Sequence, residues 1–146
     1  DTEVEDLQAL RGALESEAIR KLHEQHGNRW PDTTLAPILE KIQKLAEAEA
    51  DGDWFAINRA HAAVHNAIVK EANSARISES YEQLTSETLL LLTGLRTHYP
   101  MGTLESEHRA FLEQIQSGDG SVVRDHLGHT TELIRKERTT SARAQR

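Results

Sequence analysis

Leu7, Leu10, Leu14, Ala18 and Leu22 recur at steps of three and four residues, and the same spacing returns in every later apolar segment of the chain. That period is helical: side chains three and four apart share one face of an α-helix, whereas a half-buried strand turns every second residue inward. A chain patterned this way throughout must bury helical stripes against one another. The expected fold is therefore all-α, an antiparallel bundle of about six helices. With 146 residues there is material for one domain and one substantial core, so the domain is taken as residues 1–146. Apolar residues make up 37% of the chain but aromatics only 4%, so aliphatic side chains must do most of the packing.

The helix boundaries follow from the breaks in the pattern. The first helix runs from Val4 to about Gln25, with Arg11 and Glu15 beside its stripe, and ends before His26-Gly27-Asn28-Arg29-Trp30-Pro31. A second follows from about Thr34 to Ala50 with Leu35, Ile38, Ile42 and Leu45 inward, and Pro37 falls early enough to be tolerated. Asp51-Gly52-Asp53 closes it and caps a third helix carrying Trp54, Ile57, His61, Val64, His65 and Ile68 on one face. Ile77, Tyr81, Leu84, Thr88, Leu91, Leu92 and Leu95 mark a fourth helix ending near Thr97, with Tyr99 to Gly102 as the connecting loop. Thr103 caps a fifth, in which Leu104, His108, Phe111, Leu112 and Ile115 share a face and Gly118 is the stop. The sixth carries Val122, His126, His129 and Leu133, after which the basic, polar stretch from Arg135 to Arg146 is expected to fray.

The formal net charge is −7, so the domain as a whole is repelled by phosphate backbones and anionic membrane surfaces. No apolar run approaches the length of a membrane span, and the acidic start is unlike a secretory signal. Cysteine is absent, which removes disulfides and thiolate chemistry and suits a reducing cytoplasm, the expected location.

Histidine carries the strongest chemical signal. His61 and His65 form a His-x-x-x-His pair one helical turn apart, and His108 and His129 fall on what read as the buried faces of two other helices. A single imidazole on an apolar face is ordinarily a hydrogen-bonded core residue. Four on three neighbouring faces differ, because burying unpartnered imidazoles costs a few kcal/mol each, about the cost of any unpaired buried polar group, and one divalent ion occupies all their acceptor nitrogens together. Zinc is the expected ion, with nickel the other candidate, since both favour neutral imidazole. His126, three residues before His129, competes for the fourth position or stands as a neighbour of the site. The spacing lacks a His-Glu-x-x-His motif, and the Glu-x-x-His element of di-iron bundles occurs only once, at Glu105 to His108. Arg11 has two readings: a solvated residue pairing with Glu15, or a planar fork clamping a carboxylate beside the metal. Arg96, at the end of the fourth helix, is a weaker candidate for the same task.

Four stretches give the chain a family likeness. Asp6-Leu7-Gln8-Ala9-Leu10-Arg11-Gly12-Ala13-Leu14-Glu15, Val64-His65-Asn66-Ala67-Ile68 with Ala72-Asn73, Glu107-His108-Arg109-Ala110-Phe111-Leu112, and Gly118-Asp119 before a helix with His129 together resemble the FCD domain. This is the effector-binding C-terminal domain of FadR-subfamily regulators among the GntR transcription factors. The resemblance implies a six-helix bundle of the VanR type around a central metal and ligand pocket. Metal-binding members use one Asp and three His; His65, His108 and His129 match the histidines, and His61 stands where Asp or Asn is usual. His129 also falls about one residue early relative to Gly118-Asp119. A fourth imidazole lowers the negative charge of the site by one, favouring zinc, nickel or copper over manganese. Arg11, Arg96, Asn73 and His126 form the expected ligand-contacting set.

The resemblance further implies a small carboxylate metabolite as effector, a homodimer, and operator DNA contacted only through an N-terminal winged helix that is not in this sequence. The reading is a sensor and not an enzyme. Two alternatives stand beside it: a metal-dependent, hydrolase-like enzyme on a helical bundle, and a metal-free dimerisation module whose histidines merely pack.

Overall fold

The computed structural model describes residues 2–94, 102–118 and 120–144. Within them the chain forms seven helices and no strand: α1 (Thr2–His26), α2 (Asp32–Asp51), α3 (Trp54–Glu71), α4 (Ala75–Gln83), α5 (Thr85–Thr93), α6 (Leu104–Ser117) and α7 (Ser121–Ala144). The all-helical bundle is as expected. Helix α3 lies at its centre, packed against α1, α2, α4 and α5, while α6 rests on α2 and α7 and α7 returns to α1.

The α2–α3 hairpin shows how local chemistry sets the frame. Gly52 takes φ 76°, the left-handed conformation that glycine adopts without a Cβ clash, and its N–H donates to the Ala48 carbonyl at 3.0 Å. Asp53 then accepts from the Phe55 N–H at 3.0 Å, capping α3 as its position predicts. Pro37 sits in the second turn of α2, because that helix starts at Asp32 rather than near Thr34. The carbonyl deprived of a donor is that of exposed Thr33, where water can serve it. At the end of α6, Gly118 is required by space: a Cβ there would lie 2.9 Å from both the Gln114 oxygen and Val122 Cγ2.

Three elements depart from the sequence reading. The expected fourth helix is two, because the Leu84 N–H closes back three residues onto the Tyr81 carbonyl at 3.1 Å before α5 starts at Thr85. Thr85 and Ser86, whose hydroxyls compete for backbone partners, follow the break. Helix α7 does not fray at Arg135 but continues to Ala144, its last turns exposed. On α1 the buried face includes most of the leucine stripe but is wider than it: Leu7, Ala18 and Leu22 are buried and Leu14 packs against the core, Leu10 is 48% exposed, and Gln8, Arg11 and Glu15 are buried with Val4 and Ile19. The expected end of the fourth helix near Thr97 and the loop from Tyr99 to Met101 lie outside the described residues.

Helix α6 is held at its start by a residue from another helix. Glu49 of α2 accepts from the N–H groups of Leu104 at 3.3 Å and Glu105 at 2.6 Å, placing a carboxylate on the positive end of the helix dipole. The expected Thr103 side-chain cap is not formed. Glu49→Ala is expected to destabilise the fold by about 1 kcal/mol, the usual cost of a lost cap. A lower urea midpoint at unchanged slope would show it; an unmoved midpoint would mean that the cap contributes nothing.

Candidate metal centre

The centre of the bundle is built from α3, α6 and α7. His61 and His65, one turn apart on α3, are buried, as is His108 on α6, and half-buried His126 on α7 completes the group. One ring nitrogen from each lies within 4.8 Å of those of the others. Phe111 stacks on the His126 ring at 4.2 Å between centroids and fixes its plane.

Hydrogen bonds on the far side of two rings decide which nitrogens face inward. The Nδ1–H of His108 donates to the Leu104 carbonyl at 2.7 Å, and that of His65 donates to the Glu15 carboxylate at 2.7 Å. A neutral imidazole carries one N–H, so both Nε2 atoms then present lone pairs to the centre. They are 3.0 Å apart, and His126 Nε2 is 3.3 Å from His65 Nε2. His61 Nε2 is buried without a hydrogen-bond partner.

Acceptors crowded this closely repel one another unless something positive lies between them. A tetrahedral zinc site with Zn–N bonds of ~2.05 Å has N···N edges of ~3.3 Å, close to the two short spacings. The donor set, all imidazole and with the His65 and His108 lone pairs turned inward, thus fits a divalent transition ion.

At His61, His108 and His126, electrostatics favour the neutral rings that such an ion needs. Burial, reinforced by the neighbouring His65, lowers the His108 pKa to about 3 against the opposing bond to Leu104. Burial and the surrounding imidazoles likewise hold His61 and His126 well below the ordinary histidine value.

Around this group lies a polar layer from α1 and α4. Glu15, fully buried, accepts from Tyr81 Oη–H at 2.7 Å as well as from His65. Burial alone would raise its carboxyl; His65, Arg11 and Tyr81 together outweigh that and hold it below the usual value. The Tyr81 phenol is pushed up by burial and by the Glu15 charge. Arg11 donates to Gln8 Oε1 at 2.6 Å and to Tyr81 Oη at 3.4 Å. Neither Glu15 nor Tyr81 was singled out by the sequence, where Glu15 is simply the residue one turn after Arg11.

The placement of the candidate residues is mixed. His61, His65 and His108 come together as the helical faces required. His129 does not join them: it is exposed, and His126 fills that corner. The reason is register. The buried stripe of α7 is Val123, Leu127, Thr130 and Ile134, one residue on from the Val122 to Leu133 stripe read from the sequence, and the shift carries His129 out to solvent. Arg11 is inward, its guanidinium beside the cluster. Asn73 is exposed, with φ 55°, and its N–H donates to the Lys70 carbonyl at 3.1 Å; it ends α3 as a left-handed residue rather than facing the centre. Arg96 lies outside the described residues. No helix among the described residues is long and apolar enough to cross a membrane.

A protein-family model described as the FCD domain matches residues 6–132, from the first turns of α1 into α7. No curated protein and no solved structure gives a significant match.

Proposed function

Because this chain belongs to the FCD domain family, the effector-binding domains of transcriptional regulators, we propose that it senses a small carboxylate through a divalent metal ion held by His61, His65, His108 and His126. The observation that carries this reading is the pair of Nε2 atoms 3.0 Å apart, each fixed inward by an outward Nδ1–H bond. Zinc is the proposed ion, since four neutral imidazoles suit it and it can expand to five-coordination to accept a carboxylate oxygen. His129 is left out of the ligand set on grounds of exposure.

The residues of the chain itself supply orientation and exclusion of water. Glu15 holds the His65 tautomer, the Leu104 carbonyl holds that of His108, and Phe111 screens His126. Arg11 offers a fixed cationic fork beside the ion. In the intact regulator, a homodimer of the GntR type in the cytoplasm, effector affinity that differs between two arrangements of this domain would shift the affinity of a winged-helix partner domain for its operator. The proposed role is sensing: among the described residues, the buried carboxylate of Glu15 beside the histidines is committed to His65 and Tyr81 rather than free to take a proton from water.

Elemental analysis of the untagged chain tests the proposal. About one zinc per chain is expected, as a four-ligand site requires, and its loss in His108→Ala. A chain that takes up no divalent ion after reloading would refute the metal site and favour the dimerisation reading.

A further inference from the structure

The His108 ring is oriented by the most fragile turn of its own helix. Its Nδ1–H donates to the carbonyl of Leu104, 2.7 Å away, and Leu104 is the first residue of α6. Helices fray from such a turn, because its N–H groups have no partners within the helix. If it unwound, the Leu104 carbonyl would swing away from the ring. The Nδ1–H would then lose its acceptor, and with it the preference for the tautomer whose Nε2 lone pair faces the other histidines.

Glu49, in the last turn of α2, holds that first turn closed. Its two carboxylate oxygens serve one N–H each, that of Leu104 at 3.3 Å and that of Glu105 at 2.6 Å. The side chain is half-buried and rises from a helix end that is itself closed, since the Gly52 N–H donates to the Ala48 carbonyl at 3.0 Å. The other arm of the same hairpin is α3, which carries His61 and His65. One corner of the fold therefore joins the two helices that supply three of the four candidate ligands. We propose that Glu49 is a positioning residue of the metal centre: by clamping the N–H groups of Leu104 and Glu105 it keeps the Leu104 carbonyl in place for His108 Nδ1–H, and so sets the tautomer and angle of that ring. The inference rests on the metal-dependent reading above. Such coupling is reciprocal, so an ion that fixes His108 also tightens the start of α6. Because Glu49 acts through one peptide group, the effect on metal affinity is set by the strength of a helix cap, roughly three- to tenfold, and falls below the about 10- to 100-fold of a group bonded directly to a ligand.

Zinc competition with a chromophoric chelator, together with ring-nitrogen NMR and amide exchange of the metal-free chain at about neutral pH, tests this. The parent is expected to show His108 as the Nδ1–H tautomer alone. Glu49→Ala is expected to bring in the Nε2–H tautomer, to weaken zinc binding roughly three- to tenfold, and to speed exchange of the Glu107 amide, which bonds to the Thr103 carbonyl at 3.0 Å in the same turn. Zinc should restore the slow exchange. Glu49→Gln keeps an acceptor oxygen and should recover part of each effect. Ile38→Val, a fully buried core change near the start of α2, lowers stability comparably and should leave all three readings unmoved. Zinc affinity unchanged in Glu49→Ala would overturn the inference and leave the metal reading standing. Weaker zinc binding with the His108 tautomer unaltered would overturn it too, since the effect would not then pass through that ring. If the alanine variant does not fold, the glutamine variant decides on the same readings. A parent chain that takes up no zinc would overturn the metal reading, and this inference with it.

Discussion

Glu15→Ala is expected to destabilise the chain by about 3–5 kcal/mol, the usual cost of removing one partner from a buried ionic group. Three side chains depend on this carboxylate: Tyr81 and His65 donate to it, each at 2.7 Å, and Arg11 is the buried cation beside it. Alanine leaves a guanidinium without a countercharge and two donors without their acceptor, in a place from which water is excluded. For a domain of this size, that corresponds to a fall in Tm of roughly 10–15 °C. The same change frees the His65 ring to rotate or switch tautomer, so zinc affinity should fall about 10- to 100-fold, as for other groups that orient metal-bound imidazoles. Glu15→Gln keeps the shape and one acceptor oxygen but not the charge, and should fall between alanine and the parent. Thermal melts with and without zinc, alongside competition with a chromophoric chelator, measure both effects. An alanine variant that melts within about 1 kcal/mol of the parent would show that the buried network is not an ionic one.

That network marks where sequence reading stops. On α3 and α6 the apolar residues fit a single helical register, so Ile57, Val64 and Ile68, and Leu104, Phe111 and Ile115, point His61, His65 and His108 inward without ambiguity. On α7 apolar residues come in adjacent pairs, Val122-Val123 and Leu133-Ile134, so two registers fit equally well and the choice between His126 and His129 was left to packing. On α1 the difficulty is deeper. Its buried face is itself polar at the centre, with Gln8, Arg11 and Glu15 inward beside Leu7, Ala18 and Leu22 and with Leu10 outward, so hydrophobicity finds the apolar part of that face and misses its polar part. Charged residues take such positions only when partners from distant segments meet them, here Tyr81 from 66 positions away and His65 from 50. The short-range signals fared better: Gly52, Asp53 and Gly118 end or start helices where they were expected to, because their effects are confined to a few neighbouring residues.

The metal-free chain should lose stability steeply as pH falls through the histidine range. In the unfolded chain an imidazole titrates near ~6.5. Folded, His108 titrates at about 3, and His61 and His126 are held well below their ordinary value, in each case chiefly by burial. Above pH ~7 both states leave these rings neutral, and they contribute no pH dependence. Below ~6.5 the unfolded chain takes up protons that the folded cluster refuses, so stability falls with falling pH, by ~1.4 kcal/mol per pH unit for each ring. Three rings acting together give ~4 kcal/mol per unit, enough to exhaust a typical stability of 5–15 kcal/mol by about pH 4–5. Glu15 acts in the same direction but later: its lowered carboxyl contributes stability above ~4.5 that is lost only as the pH drops through its folded value. Zinc should raise stability at neutral pH and sharpen the acid transition, because ligand protonation and metal release are one equilibrium. Urea unfolding of the chelated chain from pH 7.5 to 4.5 measures the slope, and His126→Gln should reduce it by about a third, one ring in three. A stability that stays level between pH 7 and 5 would mean that the rings are already paired with protons in the folded state, and the convergent lone pairs on which the metal centre depends would not exist.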